Sequence, residues 1–526
     1  MSAQDQGKQA PMHAAPASPS GLRPWWETRW FVAAMILVSA IPLLYPSIPP
    51  LVDLFGHMGR YRVELDLATS PWLKEYYGFH WAAIGNLGVD ILVIPLSKVF
   101  GLELAVKLIV LAIPPLTVAG FLWVAREVHG RIPPTALFAL PFAYSHPFMY
   151  GFVNYALSIA LAFLAFGLWL RLARLNRLKL RAILFVPISL IVFFAHTFGW
   201  GVLGLLCFSG EAIRQHDAGK RWLRAGANAA LHASVMALPL LFVIAWRSGA
   251  HGHGGMTRGW FDWSRKVDWI EYALRDRWVY FDLASLAVVA VVLLFALASR
   301  RLSFSRNLVF SALVLIAGFL ILPRMVFGSA YADMRLFPYV VAVALLAIRF
   351  RDPMAMRMAQ LFAILGLAFF LVRIAGSTAS LAMAADDQNA KLHALDHVPM
   401  GARVASMVGD QCSTQWPLPR DTHLGAMVIV RRQGFSNDQW AVEGANLLQL
   451  RDSKAGRFAS DPSQILHDRR CSMASALDID RSLEELPRDQ FDYVWLIQSE
   501  PHDPRLTAGF KEVWRGSNSI LYRVKP

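Results

Sequence analysis

The chain has 526 residues, of which 56% are apolar and 17% charged, and its formal net charge is +14. Soluble proteins usually carry about 25% charged residues. Together with a mean hydropathy of +0.40, this composition excludes an ordinary soluble nucleic-acid-binding protein, which the basic charge alone would permit. The chain has 35 Gly and 29 Pro without a period, which excludes a collagen-like or disordered chain.

Long apolar runs predict a polytopic α-helical membrane protein. A bilayer-spanning helix needs roughly 20 mostly apolar residues, and this requirement predicts about eleven spans. They lie near residues 30–46, 103–125, 132–148, 152–171, 182–198, 199–213, 225–246, 281–299, 306–323, 336–350 and 355–376. Residues 30–376 are thus predicted to form a transmembrane domain, and residues 1–29, which begin with an Ala-, Pro- and Ser-rich stretch, a disordered tail.

The basic residues predict the orientation of these spans. If the N-terminus is cytoplasmic, the tail and the cytoplasmic loops hold 20 basic and six acidic residues, as the positive-inside rule requires. The exterior face then carries two long loops, 47–102 and 247–280. After an odd number of spans, residues 377–526 are exterior too, and they have a net charge of −2. We therefore expect a multi-pass protein of a bacterial inner membrane with a periplasmic C-terminal domain.

The last 150 residues are predicted to form a small α/β domain. Strand-like runs occur at Ala402–Val408, Asp492–Ile497 and Ser519–Val524, with a helical stretch near Ala441–Leu450. Cys412 and Cys471 both fall in this domain, and an oxidising periplasm would allow a disulfide between them. The sequence leaves open whether the two sulfurs meet.

The segment after the first span carries the clearest candidate site. On a helix, Asp53, His57, Arg60 and Glu64 are spaced i, i+4, i+7 and i+11 and share one face. This face is either a solvated surface with internal ion pairs or a cluster of an acid, an imidazole and a guanidinium at the membrane surface. Residues 81–100 are interpreted as an amphipathic helix on the outer membrane face.

The order of these features resembles the GT-C superfamily of membrane glycosyltransferases, such as the bacterial aminoarabinose transferases and the protein mannosyltransferases. The resembling features are a span, an acid in the first exterior loop, an interfacial helix (Ile84–Gly101), further spans and an exterior domain. The segment Ala332-Asp-Met-Arg-Leu-Phe-Pro338 is also similar to one in related bacterial proteins. Gly56 and His57 stand where the aminoarabinose enzymes have an adjacent acid.

The resemblance implies an inverting hexosyl or pentosyl transfer from a polyprenyl-phosphate sugar to an acceptor hydroxyl, with Asp53 as the base. The acceptor would be an envelope glycan, lipid or protein. A lipid-phosphate leaving group calls for cations, and Arg binds phosphate in a bidentate manner. The candidate substrate-binding residues are His57, Arg60, Lys98, Arg324, Asp333 and Arg335. The sequence indicates no metal site, no cofactor and no nucleic-acid partner.

Other functions remain open at this point. The alternative is a transporter or flippase of a lipid-linked or anionic solute, and a third class is a non-catalytic assembly or sensor protein. The Arg residues also have an ordinary role in anchoring spans at the interface. Convergence of Asp53, Arg60, Asp333 and Arg335 on one exterior-facing cavity would favour the transferase.

Overall fold

The computed structural model describes residues 24–249, 256–351, 356–410, 416–440, 446–451, 454–467 and 477–524. Helices account for most of the chain as far as Leu392, and they pack around a continuous apolar core. In chain order the α-helices of this part are α1 (Arg29–Val38), α2 (Leu54–Asp66), α3 (Pro71–Tyr76), α4 (Gly88–Phe100), α5 (Leu102–His129), α6 (His146–Met149), α7 (Val153–Arg174), α8 (Leu178–Ala195), α9 (Thr197–Asp217), α10 (Trp222–Ala233), α11 (Pro239–Gly249), α12 (Trp263–Glu271), α13 (Val279–Ala298), α14 (Arg306–Ile321), α15 (Phe337–Leu346) and α16 (Met356–Leu392).

The prediction of a polytopic helical membrane protein is confirmed. Five described helices, α5, α7, α8, α13 and α16, are long and apolar enough to cross a membrane, and a pair bent by 69°, α10 with α11, would make a sixth. All eleven predicted spans coincide with helical segments, but several of these segments are short. The total of eleven spans therefore stays a prediction.

The predicted span at residues 132–148 takes an unusual form. Residues Pro134–Tyr144 form a fully buried 3₁₀-helix, which packs against α5, α15 and α16. Pro133, Pro134 and Pro141 have no amide hydrogen to donate, which disfavours a continuous α-helix here. This segment consequently fills the centre of the bundle instead of facing lipid.

Strands occur mainly in the C-terminal part. They are β1 (Tyr77–Phe79), β2 (Leu302–Phe304), β3 (Ile348–Phe350), β4 (Arg403–Asp410), β5 (Phe435–Ser436), β6 (Leu448–Leu450), β7 (Ile465–His467), β8 (Tyr493–Ile497), β9 (Lys511–Gly516) and β10 (Ser519–Arg523). The remaining α-helices are α17 (Met427–Arg432), α18 (Ile479–Glu484) and α19 (Pro504–Thr507). The expected α/β character of this part is confirmed.

The main sheet of the C-terminal part has the order β5-β4-β8-β10-β9, and β7 also pairs with β4. Strand β4 runs parallel to β5, β7 and β8, whereas β10 is antiparallel to both of its neighbours. All five residues of β8 are buried, as expected for a central strand covered on both faces.

Strand pairing and helix packing join the C-terminal part to the loop that follows the first predicted span. Strand β6 pairs antiparallel with β1, so the helix expected near Ala441–Leu450 is wrong over Leu448–Leu450. Residues 441–445 lie outside the described residues. Helices α2 and α17 also pack directly against each other. The first loop is therefore covered by residues from the end of the chain.

Helix α16 continues beyond the last predicted span. It runs to Leu392 without a break, past the expected domain boundary at residue 376. Near its end, the Lys391 ammonium contacts an Asp421 carboxylate oxygen at 2.5 Å. The apolar bundle and the C-terminal part thus share one long helix.

Candidate active site

Asp53 occupies the N-terminal boundary of α2, and its carboxylate makes no capping bond to the helix. Its backbone amide instead donates a hydrogen bond to the Tyr150 carbonyl oxygen at 2.9 Å. The close approach of these two backbone segments depends on Gly151, whose φ is +94°. A Cβ atom added at Gly151 would lie only 2.6 Å from the Asp53 nitrogen. The backbone is therefore fixed while the Asp53 carboxylate, 15% exposed, stays free for other contacts.

A histidine from the C-terminal part reaches this carboxylate. His423 Nε2 lies 3.8 Å from Asp53 Oδ1, and its Nδ1 lies 2.5 Å from Asp438 Oδ1. Burial alone would lower the pKa of His423, but the charges of Asp438 and Asp53 outweigh it and raise the pKa to about 9. At neutral pH the His423 ring is therefore a cation held between two acids.

Asp53 itself has a pKa raised to about 7. Burial of the carboxyl group is the main cause, and the positive charges of His423 and Arg335 oppose it. A carboxyl group with this pKa is substantially ionised at neutral pH, and it is a stronger base than an ordinary Asp. Both properties suit a general base.

His57 and Arg60 lie further along the same face of α2. His57 packs against Trp440 with ring centroids 5.1 Å apart, and burial lowers the pKa of His57 well below its usual range. The Arg60 guanidinium contacts Asp90 at 2.8 Å, and both side chains are buried. Asn154 donates a hydrogen bond to the same carboxylate at 3.0 Å. Arg60 is thus neutralised by α4, whereas His57 is an uncharged polar group.

Arg335 approaches from the loop before α15. Its guanidinium lies over the rings of Phe152 and Phe198, at 4.5 and 5.1 Å from their centroids, and donates to Ser329 Oγ at 3.0 Å. Burial lowers the pKa of Arg335 to about 10, and Asp53 is among the groups that oppose this. The side chain is therefore a buried cation held mainly by aromatic rings.

A cavity of about 610 Å³ lies beside these groups. Its polar lining includes His57, Arg60 and Arg335, and the rest of its wall is mostly aromatic and aliphatic. The apolar lining residues include Tyr155, Phe193, Phe198, Trp200, Phe242 and Leu322. A volume of this size is in the usual range for small-molecule sites, about 300–1,000 Å³.

The remaining predicted residues lie elsewhere. Lys98 is exposed in the last turn of α4. The Arg324 guanidinium lies over the Tyr331 ring, and Asp333 is buried 3.4 Å from the Lys266 ammonium. Asp333 is therefore paired with Lys266, which also bonds two backbone carbonyls.

Two further expectations concern cysteines and metals. Cys412 and Cys471 both lie outside the described residues, so their disulfide stays a prediction. Among the described residues, no group of three His, Cys, Asp or Glu side chains is arranged to hold a metal ion.

Sequence reasoning missed His423, Asp438 and Trp440. His423 lies just before α17, whereas Asp438 and Trp440 lie between β5 and β6. Neither segment has a helical or strand period that would indicate a role. A usable signal was the dense polar and aromatic run Phe435-Ser-Asn-Asp-Gln-Trp440. Such a run within a folded domain is typical of a buried polar cluster, but nothing in it predicts contact with Asp53.

Comparison with known proteins finds similarity among solved structures but not among family models or curated proteins. No family model and no curated protein matches the chain. Among solved structures, the chain is similar to ArnT from Cupriavidus metallidurans in the apo state, with TM-score 0.47 and 12% identity over 94% of this chain and 97% of that one. It is equally similar to ArnT bound to undecaprenyl phosphate, with TM-score 0.47 and 10% identity over the same shares. ArnT is a GT-C glycosyltransferase.

Proposed function

We propose that this chain is a membrane glycosyltransferase of the GT-C type, which moves a sugar from a polyprenyl-phosphate donor to an acceptor hydroxyl at the exterior face. One observation carries the proposal. His57 after the first span and Arg335 before a late span line one cavity. Arg335 and His423, which lies near the end of the chain, also act electrostatically on Asp53 and on His57. Buried ionisable groups with strongly shifted pKa values next to a cavity are typical of catalytic and binding sites.

The cavity supports a lipid-linked donor. Its wall is mainly aromatic and aliphatic, which suits an isoprenoid chain, and Arg335 supplies a cation within that wall. A guanidinium forms bidentate hydrogen bonds with phosphate oxygens. We therefore place the donor phosphate at Arg335, with Ser329 beside it, and the isoprenoid tail along the apolar wall.

The proposed reaction is a single displacement. Asp53 accepts the proton of the acceptor hydroxyl while the hydroxyl oxygen forms a bond to the anomeric carbon of the sugar. The bond between that carbon and the phosphate oxygen breaks at the same time, and the polyprenyl phosphate leaves as an anion stabilised by Arg335. Attack opposite the leaving group inverts the anomeric configuration.

The proposed reaction takes place in the bacterial cell envelope. With a cytoplasmic N-terminus, the site and the C-terminal part face the periplasm of a bacterial inner membrane. The acceptor is then an envelope glycan, lipid or protein. We propose no metal ion and no cofactor for this displacement.

The direct test measures sugar transfer by purified protein in lipid nanodiscs. The donors are radiolabelled polyprenyl-phosphate pentoses and hexoses, and the acceptor is an envelope extract; release of polyprenyl phosphate is followed. Loss of a general base lowers the rate by about 10²–10⁴-fold, so we expect Asp53→Asn to lower it by that factor. Asp66→Asn, in the last turn of the same helix and paired with Arg62, is the matched control and should act like the wild type.

Two results would contradict the proposal. Full transfer by Asp53→Asn would exclude Asp53 as the base. Movement of the labelled lipid across a bilayer, without release of polyprenyl phosphate from any donor, would identify the chain as a flippase instead.

A further inference from the structure

The contact between Asp53 and His423 joins the two ends of the chain. His423 Nδ1 donates to the Asp438 carboxylate. In the cationic ring Nε2 also carries a hydrogen, and this nitrogen faces Asp53. The His423 side chain is 5% exposed and Asp438 is fully buried. The orientation of the imidazole is thus set within the C-terminal part, before any substrate is present.

Trp440 fixes the same ring from the side. Its indole lies 4.6 Å from the His423 ring and 5.1 Å from the His57 ring, measured between centroids. It also lies directly over Gly56, where an added Cβ would be 2.5 Å from Trp440 Cη2. Glycine at position 56 therefore permits the C-terminal part to rest on the first turn of α2, immediately after Asp53.

The charges that face Asp53 come from two parts of the chain. Arg335 contributes a cation from the loop before α15, while His423, Asp438 and Asp461 belong to the C-terminal part. His57, the titratable group one turn along α2, has its pKa lowered well below its usual range, so it adds no charge near neutral pH. Among the described residues, His423 is the cation within ion-pair distance of the Asp53 carboxylate.

We propose that His423 is a positioning residue of the transfer reaction, through which the C-terminal part orients the Asp53 carboxylate and keeps it ionised. This inference rests on the proposed function and assigns part of the site to the C-terminal part. In the reaction, the proton of the acceptor hydroxyl passes to Asp53, and His423 keeps its own proton throughout. The donor phosphate stays with Arg335. Arg335 therefore binds the phosphate, whereas His423 orients the base.

The inference is tested first without any turnover. A hydrophobic carbodiimide reacts with protonated carboxyl groups, so the extent of Asp53 labelling against pH, read by mass spectrometry, reports its titration. In the wild type the midpoint should lie near pH 7, the pKa of Asp53. An opposite charge within ion-pair distance lowers a carboxyl pKa by about one unit or more, so His423→Gln should move the midpoint upwards by about that amount.

Two further variants serve as controls for the shift of the labelling midpoint. His423→Lys returns a positive charge to the position, and the midpoint should move back towards the wild-type value. His393→Gln replaces an exposed histidine of the same region that lies outside the site, and it should leave the midpoint unchanged. An unchanged midpoint in His423→Gln would overturn the inference.

The second readout is the pH dependence of transfer. The base acts only when deprotonated, so the rate rises with pH through the pKa of Asp53. In His423→Gln this rise should shift to higher pH, with kcat lowered most on the acid side and KM little changed. Raising the pH should then restore the variant, whereas Asp53→Asn should stay inactive at every pH. A uniform loss of kcat at all pH values would indicate a merely structural role and would overturn the inference.

Folding and function can be separated in these tests. If His423→Gln fails to elute as a monodisperse protein, the double variant His423→Gln/Asp438→Asn replaces it in the labelling experiment. The double variant leaves no buried acid without a partner at this pair. Its labelling midpoint should also move to higher pH. If the wild type transfers no sugar from any donor, the proposed function fails, and the labelling midpoints still decide the contact between His423 and Asp53.

Discussion

Two groups of buried charge in this molecule differ in how their charges are partnered. The first, here called the anchoring network, consists of Asp276, Asp282, Arg373 and Arg420. The second is the candidate site, formed by Asp53, His57, Arg335 and His423. Both groups join the helical bundle to the C-terminal part, so their location alone does not separate structural from chemical roles.

In the anchoring network the carboxylates are saturated. Arg373 contacts Asp282 at 2.7 Å, and Asp282 also accepts from the Trp416 indole and the Asp276 amide, both at 2.8 Å. Arg420 contacts the Asp276 side chain at 2.6 Å. Charges with this many partners hold α13, α16 and the C-terminal part together.

In the site His423 is paired with Asp438, but Arg335 and Asp53 have no close partner of opposite charge among the described residues. Arg335 rests on aromatic rings and a serine hydroxyl, and the Asp53 carboxylate is 3.8 Å from its nearest cationic atom. A buried charge without a close partner is costly, and it is retained where a ligand or a reaction supplies the missing partner. The degree of partnering, more than burial, therefore distinguishes the two groups.

The largest expected effect is on the stability of the anchoring network. Arg373→Met leaves Asp282 without its cation, and breaking a buried pair in this way costs about 3–5 kcal/mol. We expect the variant to unfold at a clearly lower temperature in detergent. Arg357→Met, at an exposed position of the same helix, is the control and should unfold like the wild type. Equal unfolding temperatures of the two variants would contradict the structural role of the anchoring network.

A site cation should behave in the opposite way. Arg335→Lys keeps the charge but loses the planar group that lies on Phe152 and binds two phosphate oxygens at once. We expect transfer to fall by about 100-fold, which is the size of losing one transition-state contact, with little change in the unfolding temperature. Arg324→Lys, the matched control on the Tyr331 ring, should retain activity. A large loss of stability in Arg335→Lys would instead place Arg335 among the anchoring charges.

The smallest effect is expected at a residue that belongs to neither group. Lys98 is exposed at the end of α4, and surface substitutions of this kind change stability by less than about 0.5 kcal/mol. Lys98→Gln should therefore match the wild type in unfolding temperature and in transfer rate. A marked loss of transfer would show that Lys98 binds substrate after all.

Local patterns predicted the elements of the site well. The spacing of Asp53, His57 and Arg60 indicated a shared helix face, and α2 has it, because helical periodicity depends only on neighbouring residues. The strands β4, β8 and β10 were located to within a few residues for the same reason.

Long-range contacts were beyond such patterns. Asp333 was predicted to bind substrate, yet the fold pairs it with Lys266, 67 residues earlier in the chain. The helix expected near residue 448 became a strand because β1 offered it a partner, which overrides local propensity. Nothing local to His423 could indicate that it would meet Asp53, since that contact exists only in the packed chain.

The covering of α2 by the C-terminal part also has a consequence for biosynthesis. Gln439 donates a hydrogen bond to the Gly56 carbonyl oxygen across 383 residues of sequence. In the same contact region His423 lies against Asp53 and Trp440 lies over Gly56. A ribosome produces Asp53 early and these partners late, so a nascent chain carries the base without the groups that orient it. Under the proposed function, sugar transfer would begin only once the C-terminal part has folded against α2.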